Sequence, residues 1–270
     1  MKKIFALLLV LTMVLSFAAC GGDVNETTAP AGTTAPAGTT APAGTTAPAE
    51  TTVPATTVPE TTGAPAAAVM TYAEYAAAEL DSAVVVEFYV QATQSWWDDK
   101  IVIYGQDKDG GYLAYNVVCS QEDAAKLVPG TKIRVTGFKT EWSGEVEIAE
   151  GATFEFVEGA DTFIAEAMDA TALLGTDELI THQNKLVSFK GLTVKSVSYK
   201  NDEPGDDIYL TLTLNGADYE FCVERYLTDP ETEVYKTVGT LETGDVVDVE
   251  GFLYWYNGSN PHITKITVAE

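Results

Sequence analysis

The chain has 270 residues, with 15 Lys and Arg against 40 Asp and Glu and a formal net charge of −25 at pH 7. An acidic field of that size repels phosphate backbones, whose binding depends on Lys and Arg neutralising several charges, so nucleic acid is disfavoured as a partner. The same carboxylates also serve plain solubility.

Met1-Lys2-Lys3 and the apolar run from Ile4 to Phe17 form the charged start and short hydrophobic stretch of a secretion signal. The run is too short to cross a bilayer, which takes about 20 apolar residues. Its exit, Phe17-Ala18-Ala19-Cys20-Gly21-Gly22, resembles the bacterial lipobox, with Phe17 where that family more often has Leu. The resemblance implies a signal peptide over 1–19, lipid (palmitate) modification at Cys20 and an extracytoplasmic protein anchored to a bacterial cell membrane. Residues 20–69 hold seven of the eleven prolines, with Thr-Thr-Ala-Pro beginning at 27, 33, 39 and 45 and Thr-Thr-Val-Pro at 51 and 56. Such a segment has no apolar period with which to build a core. It is expected to be a disordered stalk with a reach on the order of 100 Å.

From residue 70 onward the chain turns globular. Thr71-Tyr72-Ala73-Glu74 has capping-box spacing and opens a helix to about Leu80. Strands are predicted over 83–92, 101–104 and 112–118, with Trp96-Trp97-Asp98-Asp99 between the first two and an Asp107-to-Gly111 turn between the next. Ser120 caps a short helix ending near Leu127. Strands follow over 131–138, 145–148 and 153–157, with Trp142-Ser143-Gly144 as the connecting loop. The second half repeats this order: a helical lead-in within 169–183, strands over 186–197, 207–214 and 217–223, a longer connection from Glu224 to Thr240, and strands over 245–253 and 263–268. Asn215-Gly216 is the strongest short hairpin signal in the chain.

The repetition is explicit. Leu127 to Phe138 returns as Leu241 to Phe252, with Leu, Gly, an aliphatic residue, Val, Gly and Phe in the same slots. A period of about 114 residues is a duplicated domain, since solenoid units run roughly 20–50 residues. The expected fold is all-β: two tandem five-stranded OB-fold-like barrels with short helices, domain 1 over 70–158 and domain 2 over 159–270. Both are acidic, with 6 Lys and Arg against 16 Asp and Glu in 71–158 and 7 against 20 in 159–270.

Tyr72-Ala73-Glu74-Tyr75 before Val86-Glu87-Phe88, the passage Ile103-Tyr104-Gly105-Gln106-Asp107, and Gly130 with Val135-Thr136-Gly137 resemble the OB-fold domains of bacterial secreted and surface proteins, some of them beside nucleases. These are scaffold positions, and function does not follow from a fold alone. No nuclease domain accompanies them in this sequence.

The four tryptophans fall in connections that border the ligand face of OB-folds. Trp96, Trp97, Trp142, Tyr254, Trp255 and Tyr256 are therefore the candidate ligand-binding residues, with Asp98, Asp99, Asn257 and Asn260 beside them as hydrogen-bonding groups. The competing reading has these indoles plugging barrel ends or burying a domain contact. A glycan needs no cationic groove, whereas a nucleic acid does, so an extracellular glycan is the expected ligand. Nucleic-acid binding and a protein–protein module are the alternatives, and a local basic strip of Lys132, Arg134 and Lys139 is the feature that would serve the former. No catalytic motif frames Ser, His and Asp, so a non-enzymatic role without cofactor is expected. Asp107-Lys108-Asp109-Gly110 starts like a calcium loop but lacks the later ligands, and His182 and His262 stand apart, so no metal site is expected. Cys119 and Cys222 follow similar strand sequences; they read as buried thiols at matching strand ends, with a disulfide as the lesser alternative.

Overall fold

The computed structural model describes residues 68–269, so the expected signal peptide over 1–19, the expected lipidation at Cys20 and most of the Thr/Pro-rich segment lie outside the described residues. Helix α1 (Tyr72–Ala77) starts as its sequence requires. The Thr71 side chain accepts from the Glu74 amide and the Glu74 carboxylate accepts from the Thr71 amide. That satisfies two donors which a helix start otherwise leaves free.

The first sheet is built from β1 (Ala83–Thr93), β2 (Lys100–Gln106), β3 (Gly111–Val118), β4 (Lys132–Trp142), β5 (Glu145–Ile148) and β6 (Thr153–Phe156), in the order β1-β2-β3-β5-β4-β6. β1 also pairs β4, from Ala83 opposite Phe138 to Tyr89 opposite Lys132, which closes five strands into a barrel of OB-fold order. Helix α2 (Gln121–Ala124), capped by Ser120, bridges β3 and β4. Val86, Phe88, Ile103, Ala114, Ile133, Val135 and Ile148 fill the interior, and Tyr75 of α1 packs into the same core with its ring 5.3 Å from that of Tyr112. Burying each large apolar side chain in such a core is worth about 1.5–3 kcal/mol.

The second sheet contains β7 (Met168–Asp169), β8 (Leu186–Tyr199), β9 (Ile208–Leu214), β10 (Ala217–Val223), β11 (Val246–Phe252) and β12 (His262–Val268) in the order β11-β12-β10-β9-β8-β7, with β11 also pairing β8. Its core is separate, built on Val187, Phe189, Leu192, Val194, Leu210, Phe221 and Val249, and helix α3 (Glu233–Val238) adds Tyr235 and Val238. The repeat seen in the sequence is visible at bond level. Gly130 N–H donates to Val90 O and Val90 N–H to Thr131 O; Gly244 N–H donates to Val194 O and Val194 N–H to Asp245 O, all at 2.8 Å. Gly130 and Gly244 sit at φ +90° and +102°, a conformation that L side chains rarely adopt, and this is why both repeats carry glycine there.

The helical lead-in over 169–183 takes the form of two 3₁₀ turns, Thr171–Leu173 and Leu179–His182, with Gly175 between them at φ +82°. Two expectations are corrected. β4 extends to Trp142, which pairs directly with Glu145, so this indole stands on a strand end above a two-residue Ser143-Gly144 turn rather than in a loop. Cys119 and Cys222 are free and buried but not equivalent: Cys222 is on β10 opposite His262, where the first sheet has Ala114 opposite Ile148, whereas Cys119 lies beyond β3. Among the described residues, no helix is long and apolar enough to cross a membrane.

The two sheets belong to one compact unit and share a third, smaller core. In β2, Ile101 and Ile103 point into the first barrel, while Val102 and Tyr104 point outward and join Leu113, Phe252, Leu186 and Tyr254. This explains the unbroken apolar run of β2, the pattern of a strand buried on both faces. Polar bonds tie the seam. Leu186 N–H donates to Gln106 Oε1 at 2.7 Å, Gln183 Nε2 to Gly144 O at 2.8 Å, Asn184 Nδ2 to Val146 O at 2.9 Å and Asn257 N–H to Ser143 O at 2.7 Å.

Candidate functional site

Where the seam opens, it forms a cleft of about 970 Å³. The first sheet contributes the outer faces of β2, β3 and β5 with Tyr104, Tyr115 and Glu147, plus Trp142 from the end of β4. The second contributes Tyr209 and Tyr219 from β9 and β10, and the segment from Tyr254 to Asn260 that leads into β12. Trp142 and Tyr256 meet across the seam, ring centroids 5.2 Å apart and planes 33° apart, with 54% and 51% of their surfaces exposed. They form an open aromatic ledge. Deeper in, Tyr254 stacks on His262 at 4.2 Å, and the Tyr104 hydroxyl shares a 2.8 Å hydrogen bond with His262 Nδ1. Burial pushes His262 down to about 3, so its ring is neutral at physiological pH.

The sequence candidates therefore divide. Trp142, Tyr254 and Tyr256 share the cleft with Asn257 and Asn260. Trp96 is half-buried, packs against the first core and donates its indole N–H to Cys119 O at 2.8 Å, so it plugs that barrel. Trp97 is 76% exposed on the β1–β2 connection, outside the cleft. Trp255 packs on the second core with its ring edge against Gly144 across the seam, and its backbone N–H donates to Glu145 Oε2 at 2.8 Å. Gly144, at φ +90°, leaves room for that ring, since a Cβ there would lie 2.7 Å from Trp255 Cδ1.

Tyr104, Tyr115, Tyr209 and Tyr219, and the carboxylates of the cleft, escaped the sequence reading of the site. Glu147, Asp207, Asp218, Glu220 and Glu224 line it against Lys200 alone. Lys200 is 2.9 Å from Asp207, and Lys195 is engaged with Asp218. Desolvation pushes Glu147 and Glu224 up to about 7. Beneath the ledge Glu145 is 0% exposed, and burial drives it up to about 9, opposed by its contacts with Asn184 and the Trp255 N–H. Glu145 Oε1 and Asn184 Oδ1 are both buried without a partner. A proton held on Glu145 and shared with Asn184 would satisfy both atoms. Cys222 also lines the cleft, but burial and the nearby Asp207 and Glu224 hold its thiol protonated, the reverse of the electropositive setting of a reactive cysteine.

The basic strip is spent on structure. Lys132 and Arg134 both bind Glu87, at 2.8 and 2.7 Å. Lys139 is buried, donating to the carbonyls of Tyr75, Ala76 and Ala78 at the end of α1. The Asp107 turn is a hairpin in which Oδ1 accepts the amides of Asp109 and Gly110. Among the described residues, no cluster of three or more His, Cys, Asp or Glu is placed to hold a metal ion.

No protein-family model and no curated protein sequence matches the chain. Among solved structures it is similar to asparaginyl-tRNA synthetase from Pyrococcus horikoshii, at 20% identity over 32% of this chain and 19% of that one, TM-score 0.27. It is also similar to a murine DNA-binding protein bound with double-stranded DNA (11% identity, 69% of this chain and 95% of that one, TM-score 0.35) and to the p204 HINb domain (14%, 68% and 95%, TM-score 0.31). The chain thus spans about a fifth of the synthetase. Likenesses this loose do not extend to a ligand, and the OB-fold assignment of the first sheet rests on its strand pairings.

Proposed function

We propose that this chain is a non-catalytic binding lipoprotein. In this reading the signal over 1–19 is removed, Cys20 carries the lipid, and the segment to residue 69 is a stalk. Two OB-fold barrels, 70–158 and 159–270, then present the seam cleft to an extracellular glycan. The observation that carries the reading is the Trp142–Tyr256 ledge, two half-exposed rings from different sheets beside a cleft rich in tyrosine. Flat aromatic faces stack on sugar rings, and Asn257 and Asn260 supply donors and acceptors for hydroxyls. Nucleic acid is the second reading, and DNA is what the murine neighbour's description names. Against it stand the acidic lining and the commitment of Lys132, Arg134 and Lys139 to internal contacts, since stacking on single strands also needs a cationic groove.

Titration with neutral oligosaccharides and with single-stranded oligonucleotides separates the two. Glycan binding should fall at least about tenfold in Trp142→Ala and Tyr256→Ala and stay unchanged in Trp97→Ala, with loss of one stacking face worth about 1–2 kcal/mol. Salt-sensitive oligonucleotide binding with no glycan binding would replace the glycan by nucleic acid; silence in both, with a stable complex in pull-down, would favour a protein partner. Cys20→Ser should move the protein out of the membrane fraction, and membrane retention in that variant would remove the lipid anchor.

A further inference from the structure

One carboxylate on the cleft is left unpartnered by the protein. Glu147 is 7% exposed, and among the described residues its side chain accepts no hydrogen bond and forms no ion pair. Its companions are all engaged: Asp207 with Lys200, Asp218 with Lys195 and Thr213, Glu220 with Thr211, and Glu224 with the Leu227 amide. Strand alternation aims Glu147 away from the first core, where its neighbour Ile148 points, and into the cleft. Burial raises the pKa of the nearby Tyr254 hydroxyl, with the charges of Glu145 and then Glu147 adding to it. The cleft leaves Glu147 only partial access to water, which raises its pKa to about 7, and a ligand bringing a positive group would favour its ionised form. The aromatic walls suit the same charge, because ring faces attract ammonium groups.

We propose that the cleft takes a saccharide bearing an unacetylated, protonated amino group, the ammonium resting against Glu147 while a sugar face stacks on the Trp142–Tyr256 ledge. This rests on the glycan reading and adds the charge of the ligand to it. The bound cation holds Glu147 ionised, so ligand binding and loss of its proton are linked.

The test is calorimetry on the full chain with three β-1,4-linked tetrasaccharides: one of glucosamine, one of N-acetylglucosamine and one of glucose. The glucosamine tetramer should bind at least about tenfold more tightly than the other two. In Glu147→Gln the three should fall within about threefold of one another, with the affinity for the glucose tetramer unchanged. Equal binding of all three by the native chain, or a preference that survives in Glu147→Gln, overturns the amino-sugar proposal and leaves the glycan reading standing. Binding of none overturns both. Carboxyl NMR gives an independent readout: the glucosamine tetramer should lower the titration midpoint of Glu147 and the glucose tetramer should not, and no movement with the glucosamine tetramer counts against the proposal.

Discussion

Two regions of this molecule carry exposed indoles, and only one of them borders a cleft. Between β1 and β2, Trp96 folds back onto the first core and Trp97 stands in solvent with no aromatic partner. At the β4–β5 turn, Trp142 is equally accessible in kind, yet Tyr256 from the other sheet meets it and a cleft opens beside the pair. A lone surface aromatic is ordinary; a ring pair beside a cleft is what the proposed binding function rests on. The paired rings come from the seam, not from either sheet alone.

This contrast can be broken or sharpened experimentally. Trp96→Ala should cost about 3 kcal/mol in urea unfolding, because it empties a plug and loses the bond to Cys119 O. A near-neutral result would make the two neighbouring indoles alike. Gly144→Ala should cost about 1–3 kcal/mol and shift Trp255 fluorescence, since a Cβ there meets Trp255 and the backbone sits at φ +90°. A native-like melting temperature would show that the seam tolerates movement at the ledge.

The next effect is in pH. Glu145, raised by burial to about 9, holds more protons folded than unfolded, so its stabilising contribution is complete below the ordinary carboxylate value and is lost as pH rises towards 9. His262, depressed to about 3, acts oppositely: its contribution is present above the ordinary imidazole value and lost as pH falls. Between pH 7 and 9 the Glu145 effect stands alone of the two, and stability should fall by on the order of 2 kcal/mol. Glu145→Gln, whose amide can donate to Asn184, should flatten that slope; an unchanged slope would place the titration elsewhere. Smallest of all, Trp97→Ala should alter stability by no more than about 0.5 kcal/mol.

Much of the fold could be read from local chemistry. The Thr71–Glu74 box, the Asn215-Gly216 turn and the paired Gly130 and Gly244 each state a backbone requirement that only a few residue types meet. The seam could not be read in this way, because nothing near Tyr104 or Leu113 in the chain says what lies opposite. One clue was present: four consecutive apolar residues in β2, Ile101 to Tyr104, exceed what a strand with a wet face needs. Lys139 shows the reverse error, since a lysine that looks available for phosphate is consumed by three carbonyls brought close only by folding. The cleft carboxylates were hidden in a different way, as in a sequence with 40 acidic residues no single one stands out until burial distinguishes it.

The covered outer face of β2 bears on how the chain can be dissected. Separated from the second half, the first would turn Val102, Tyr104 and Leu113 into a greasy stripe on a rounded surface, the kind of exposure that drives clumping. The two halves lean on each other through this face, and a fragment ending near residue 158 would leave it uncovered.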